Sequence, residues 1–267
     1  MSSAVSYQDA FGRGFGGVLR RFRSARRISQ LDLALACDVS SRHVSFLETG
    51  RARPSREMVL QLATGLMLPL AARNAMLQSA GFAPVFPTSA LESEALAPFR
   101  RILDEMIGRH APNPALLCDR HWTVLDASPS ARMMLTALQA GGTEENLIRL
   151  LAESPTAPEV IVNLPEVLEE MAARLALEAL EAGSDAVLPA LQSALADAAR
   201  RHPGDADPRR RRPVLPVVIN SPAGPLSFLS AVAHFGTSED VTVRDLRLEL
   251  LFPADDATRE AMAAFDP

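Results

Sequence analysis

Apolar residues recur at helical spacing through residues 16–80: Leu19 and Phe22, then Leu33, Ala34 and Cys37, then Val44 and Leu47, then Val59, Leu62 and Leu66. Polar stop signals separate the groups, so the rhythm predicts a compact all-α unit of five short helices. Pro84 and Pro87 end helical continuity across residues 81–88, and residues 91–109 predict a connecting helix interrupted near Pro98. Beyond this point the period changes. Residues 115–117 and 122–125 read as short strands of a hairpin flanking Asp119 and Arg120. Residues 131–138, 144–152, 165–181 and 187–201 are rich in Ala, Leu and Glu and predict helices, Pro165 suiting a first helical position. Residues 214–220, 226–235 and 241–252 read as three strands. In the last, Leu246, Leu248, Leu250 and Phe252 share one face while Arg247 and Glu249 point the other way. The expected fold class is an all-α five-helix domain followed by an α+β domain with a mainly antiparallel sheet. The boundaries expected are 1–83 for the head, 84–110 for a linker with its connecting helix, and 111–267 for the body.

The length of 267 residues suits two cores, and 48% apolar with 22% charged residues is an ordinary globular balance. All 27 basic residues are arginine. Without lysine there is no Walker-type phosphate loop, Schiff-base lysine or serine–lysine dyad. Cys37 and Cys118 are too few for a disulfide framework, which fits a reducing, cytoplasmic setting. The most apolar stretch, residues 59–72, is broken by Gln61, Gly65 and Pro69 and falls short of the roughly 20 residues of a membrane span, so no membrane partner is expected. Residues 1–13 lack the pattern of a secretory signal.

The net charge of -5 conceals an asymmetry. Residues 1–80 hold 11 Arg against 5 acids, a balance of +6, and residues 81–267 hold 16 Arg against 27 acids, a balance of -11. A basic head on an acidic body points to a polyanionic partner for the head alone.

The sharpest motif lies in residues 29–50. Ser29 and Asp32 have capping-box spacing, Ala34 is small enough for a second helix to approach, Asp38 sits where the chain must turn, and Ser40 suits the cap of a helix ending before Gly50. Val39, Val44 and Leu47 would face the core, leaving Ser41, Arg42, Ser45 and Phe46 outside. This stretch resembles the helix-turn-helix of the Xre/Cro repressor family, and the likeness runs on through Glu48-Thr-Gly-Arg-Ala-Arg-Pro-Ser55. Asp38 stands where the family usually has glycine, and aspartate tolerates a left-handed backbone better than most residues. The resemblance implies a double-stranded DNA operator as partner. Ser41, Arg42 and Ser45 would lie near base edges, Arg42 pairing with guanine. Phe46 would either touch a thymine methyl or pack on a neighbouring helix. Gln30 would meet phosphate, while Arg20, Arg23, Arg51 and Arg53 would supply salt-sensitive attraction. One such unit reads a half-site, so a homodimer is expected.

Three other patterns carry less. Gly12-Arg-Gly-Phe-Gly-Gly17 matches a dinucleotide fingerprint but lacks the flanking strands, and reads as a flexible arm. Cys118-Asp-Arg-His121 has half the spacing of a metal site and no other half, so neither metal nor other cofactor is expected. The run of arginines at 209–212 reads as a solvated loop. Neither a Gly-x-Ser-x-Gly elbow nor a His-Glu-x-x-His motif occurs, and the chain is not expected to be an enzyme.

The body resembles the PAS-like ligand-binding domain of MmyB-type regulators, on the residues Pro114-Ala-Leu-Leu-Cys-Asp-Arg-His-Trp-Thr-Val-Leu125, Val162-Asn163, Pro222-Ala-Gly-Pro-Leu-Ser-Phe228, His234-Phe-Gly-Thr237 and Leu250-Leu-Phe-Pro-Ala-Asp255. That resemblance implies a hydrophobic small-molecule effector, of fatty-acid class. The strand at 226–235 is apolar at both alternations, so the sheet is expected to be covered on two sides. Trp122, Val124, Phe228, Val232 and Leu250 are the expected pocket walls, with His234, Asn163 or Arg120 available to a carboxylate. The alternative is a body that serves only as a dimerisation or protein-interaction module.

Overall fold

The computed structural model describes residues 14–182, 185, 187–204, 214–222, 224–236 and 238–265. The chain divides into two compact units, one of Met1–Thr88 with Leu175–Pro189 and Glu239–Val241, the other of Ser89–Arg174, Ala190–Ser238 and Thr242–Pro267.

The first unit is built on five helices, α1 (Phe15–Ala25), α2 (Gln30–Ala36), α3 (Ser41–Glu48), α4 (Arg56–Gly65) and α5 (Leu70–Ser79). Serine starts three of them: Ser29 accepts from Asp32 N in a complete capping box, Ser40 from His43 N, and Ser55 from Met58 N. Val18, Leu19, Phe22, Leu33, Val44, Leu47, Val59 and Leu62 close one core. The tightest approaches fall at glycines. A Cβ on Gly16 would lie 2.5 Å from the carbonyl oxygens of Leu47 and Glu48, and one on Gly65 would lie 2.3 Å from Cys37 Sγ. Gly16 and Gly17 therefore belong to the first turn of α1 rather than to a flexible arm, and packing on α3 demands glycine at Gly16. Gly12 and Arg13 lie outside the described residues, as does the arginine run at 209–212. Asp38 turns the chain between α2 and α3 at φ +48°, the left-handed backbone expected of it.

The second unit holds the sheet. Its elements in chain order are α6 (Ala97–His110), β1 (Ala115–Cys118), β2 (Val124–Ala127), α7 (Pro129–Gln139), α8 (Leu147–Glu153), α9 (Ala157–Val160), α10 (Leu164–Ala182), α11 (Leu188–Arg201), β3 (Val217–Ser221), β4 (Gly224–His234), α12 (Val241–Asp245), β5 (Arg247–Pro253) and α13 (Asp256–Ala263), with α10, α11 and α12 each shared between the units. The strands form one antiparallel sheet in the order β2-β1-β5-β4-β3, an α+β arrangement of PAS-like type. Pro98 lies in the first turn of α6 and starts that helix instead of interrupting it. Leu103 and Ile107 of α6 share a core with Ala115, Leu117 and Leu248, so this helix is a layer of the body rather than a linker. Residues 241–245, read from sequence as strand, form a short helix although Val241 and Val243 alternate with polar residues, and the strand itself begins at Arg247.

Alternation along the strands assigns two faces. Val217, Ile219, Leu226, Phe228, Val232, Glu249 and Leu116 share one, and Ala231, Leu250, Leu248 and Leu117 share the other. Two expectations change here. Glu249 is buried on one side of β5 as Leu248 is on the other, while Phe252 near the strand's end is exposed. In β4, Ser230, Ala231 and His234 are exposed, so the cover over the sheet is incomplete.

Candidate nucleic-acid interface and effector cavity

In the head, the buried side of α3 is held by an ion pair. Arg23 of α1 donates from Nε to Glu48 Oε1 at 2.7 Å and from Nη2 to Oε2 at 3.0 Å, while its Nη1 donates to the carbonyl of Ile28 at 2.8 Å. Gln30 at the start of α2 donates to the same Glu48 Oε2 at 2.6 Å. One carboxylate thus ties together α1, α2 and the end of α3. Burial pushes the Glu48 carboxyl upward, but hydrogen bonds from Arg23 and Gln30 outweigh it and leave it below the usual carboxylate range. Arg23 is raised in turn, first by its hydrogen bond to Glu48. The expectation that Arg23 meets phosphate is corrected: its guanidinium is largely buried and all three nitrogens donate inside the protein. Gln30 has one of its two amide hydrogens committed to Glu48. In the sequence Glu48 is one of only five acids in the basic head and opens the motif of residues 48–55, and neither feature reveals its bracketing role.

The other side of α3 is open. Ser41 and Arg42 are exposed, Ser45 and Phe46 are half-buried, and Val44 and Leu47 are buried, as expected. Arg42 Cζ lies 5.1 Å from the centroid of the Phe46 ring, and Arg51 Cζ lies 5.9 Å from it. Arg20, Arg51 and Arg53 are exposed. The arrangement presents arginine charge along one helix face and the loop after it, the chemistry suited to a phosphate backbone and base edges.

In the body, the inner sheet face has two ends of opposite character. Between β3, β4, α7 and the end of α13 lies a mainly apolar cavity of about 330 Å³. Met133, Met134 and Ala137 of α7 line one side, Ile219, Leu226 and Phe228 the sheet, and Met262 and Phe265 the end. Ser130 and Asn220 are among its few polar groups, and among the described residues no charged side chain lines it. At the other end the face is polar. Trp122, turned inward at φ +66°, has Arg174 at 4.3 Å and Arg247 at 4.9 Å from its ring. Arg174 Nη1 lies 3.3 Å from Glu249, which also accepts from Ser230 Oγ. Burial, with the charge of Glu249 beside it, pushes the nearby Cys118 thiol up to about 12.

Among the expected pocket walls, Phe228 lines the cavity. Leu250 is corrected: it pairs with Ala231, an odd number of residues from Phe228, and so points to the opposite face against the α6 core. Trp122 belongs to the polar end, Val232 pairs with Glu249 there, and Val124 packs with Leu116, Cys118 and Ala127. The expected carboxylate anchors are corrected as well. Asn163 donates to the Pro216 carbonyl at 2.8 Å and accepts from Val218 N at 2.9 Å, closing the free edge of β3. Arg120 lies 3.6 Å from Asp245, and His234 is exposed in register with Arg247. None of the three lines the cavity. The methionines of α7, with Met262 and Phe265 at and just after the end of α13, were missed because methionines on a helix read equally well as core.

A helix-turn-helix with an arginine-bearing outer face, joined to an α+β domain that carries a mainly apolar cavity, defines a transcription regulator. The chain belongs to the family of MmyB-like regulators: residues 99–265 match the MmyB-like transcription regulator ligand binding domain, and residues 15–76 match a helix-turn-helix domain. No curated protein matches the chain. Both matched families are regulatory rather than enzymatic. Among the described residues no helix is long and apolar enough to cross a membrane, and no group of three or more His, Cys, Asp or Glu could hold a metal.

Proposed function

We propose that the chain is a sequence-specific regulator of Xre type whose head, residues 1–83, binds a double-stranded operator and whose body, beginning with α6, takes a fatty-acid-like effector. The observation that carries the DNA reading is the exposed face of α3. There Arg42 stands clear of the core beside Ser41 and Ser45, while the opposite side is locked by Glu48. Arg42 reads base edges, and Gln30, Arg20, Arg51 and Arg53 meet phosphates. Two copies read two half-sites about one helical turn apart. Enrichment of duplexes from a randomised pool, followed by mobility-shift titration, tests this: a preferred sequence with two half-sites is expected, and equal retention of all duplexes would sink it.

The effector reading rests on the cavity, which favours it over a body that serves only for protein interaction. Its volume of about 330 Å³ is at the small end for ligand sites, and its lining suits an acyl chain. Because no charged group lines it among the described residues, a fatty acid is held by its chain, with the carboxylate left to Ser130, Asn220 or water. Affinity should then rise by about 0.8 kcal/mol for each methylene buried. Calorimetry with an acid series and the matching alcohols checks this, with mass spectrometry of the purified protein for bound lipid. Strong preference for the acid over the alcohol would contradict a site with no charged anchor.

A further inference from the structure

We infer that Phe46 is a positioning residue for DNA recognition, its ring a shared platform that orients the guanidinium groups of Arg42 and Arg51 without neutralising them. The inference rests on the DNA-binding reading above. Arg42 lies one helical turn before Phe46 on α3, with its Cζ 5.1 Å from the ring centroid. Arg51 arrives from the loop after the helix, at 5.9 Å. That loop is referenced to the same residue through its backbone, since Arg51 N and Ala52 N both donate to the Phe46 carbonyl, at 2.9 and 3.1 Å. The two guanidinium carbons can be no farther apart than those two ring distances together, which is less than the roughly 12 Å width of the B-DNA major groove.

The contrast with Arg23 shows what a ring achieves that a carboxylate does not. Glu48 orients Arg23 and consumes both its charge and its donors. An aromatic face orients a guanidinium through its quadrupole and leaves the in-plane N–H groups and the full charge for another acceptor. Among the described residues neither Arg42 nor Arg51 forms an ion pair. A flexible arginine loses rotamer freedom when it docks, and a stack formed beforehand removes part of that cost. Phe46 so links a side chain placed for bases with one placed for phosphate.

The test uses the full chain, with one duplex enriched from a randomised pool by the wild-type protein and its scrambled counterpart, titrated between about 50 and 200 mM salt. Phe46→Leu keeps apolar bulk and removes the ring face; it should bind the enriched duplex about 5- to 30-fold more weakly, and Phe46→Tyr should stay within about twofold of wild type. In an Arg42→Ala background the loss from Phe46→Leu should shrink. Melting curves report folding, and Phe46→Met serves under the same criteria where Phe46→Leu melts early. Equal affinity of the leucine and wild-type proteins, or a tyrosine variant as weak as leucine, overturns the platform while leaving DNA binding intact. A wild-type protein that retains no duplex at low salt overturns both.

Discussion

The two units each bury a carboxylate, and they use it differently. Glu48 in the head accepts from Arg23 and Gln30 and binds three helices into one frame. Glu249 in the body accepts from Arg174 and Ser230, near Trp122, and closes one end of a sheet face. In the head the Glu48 cluster fixes the helices, and what is left for a partner is the outer side of α3. In the body the polar cluster fills one end of the sheet and the apolar residues leave a gap at the other. Buried charge marks the frame in both units, while the candidate binding surfaces lie where packing left something over.

The largest effect expected is at Glu48. Glu48→Ala strands a buried guanidinium and should cost about 3–5 kcal/mol, measured by chemical denaturation, whereas Arg23→Met with Glu48→Leu should recover much of that loss. If the single change costs under about 1 kcal/mol, Glu48 is not the frame. Acid should reveal the same bracket. The Glu48 carboxyl is depressed on folding, so its contribution is present above the ordinary carboxylate pKa of about 4.3 and fades as pH falls through the lower folded value. A Glu48→Gln protein should therefore lose less stability on acidification than wild type.

Next comes Arg42→Ala, expected to cost about 1–3 kcal/mol on the preferred duplex and to relax base choice at one position. Arg51→Ala should weaken all duplexes alike and reduce the salt slope by about one. Equal losses on preferred and scrambled DNA for Arg42→Ala would move that residue to the phosphate class. In the body, Ala137→Phe fills the cavity and should lower acyl-ligand affinity at least about tenfold while stability shifts by less than about 1.5 kcal/mol. Unchanged affinity places the ligand elsewhere. The smallest effect is Asp38→Gly, which relieves a left-handed aspartate and should stabilise the head by about 0.5–1 kcal/mol in thermal melts.

Much of the head was legible because its signals are local. Ser29, Ser40 and Ser55 cap the helices that follow them, and apolar spacing separates Val44 and Leu47 from Ser41 and Arg42. Arg23 was misread because one turn of helix puts arginine on an inner or an outer face with equal ease, and only Glu48, 25 residues on, decides which. In the body the strands near 115, 226 and 247 were visible. Their faces were not, since one residue of register exchanges Leu250 with Glu249. Trp122 looked like a strand residue and sits instead in a turn whose amides, His121 N and Thr123 N, donate to the Asp119 carboxylate.

The sequence by itself determined the five helices of the head with their serine caps and the basic head on an acidic body, because these depend on composition and on residues within a few positions of one another. Only the tertiary structure decided which arginines are free to meet a polyanion, which sheet face holds the cavity, and that α6 belongs to the body's core. Those outcomes rest on contacts between residues remote in sequence, where a single donor, acceptor or register step chooses between arrangements that look alike along the chain.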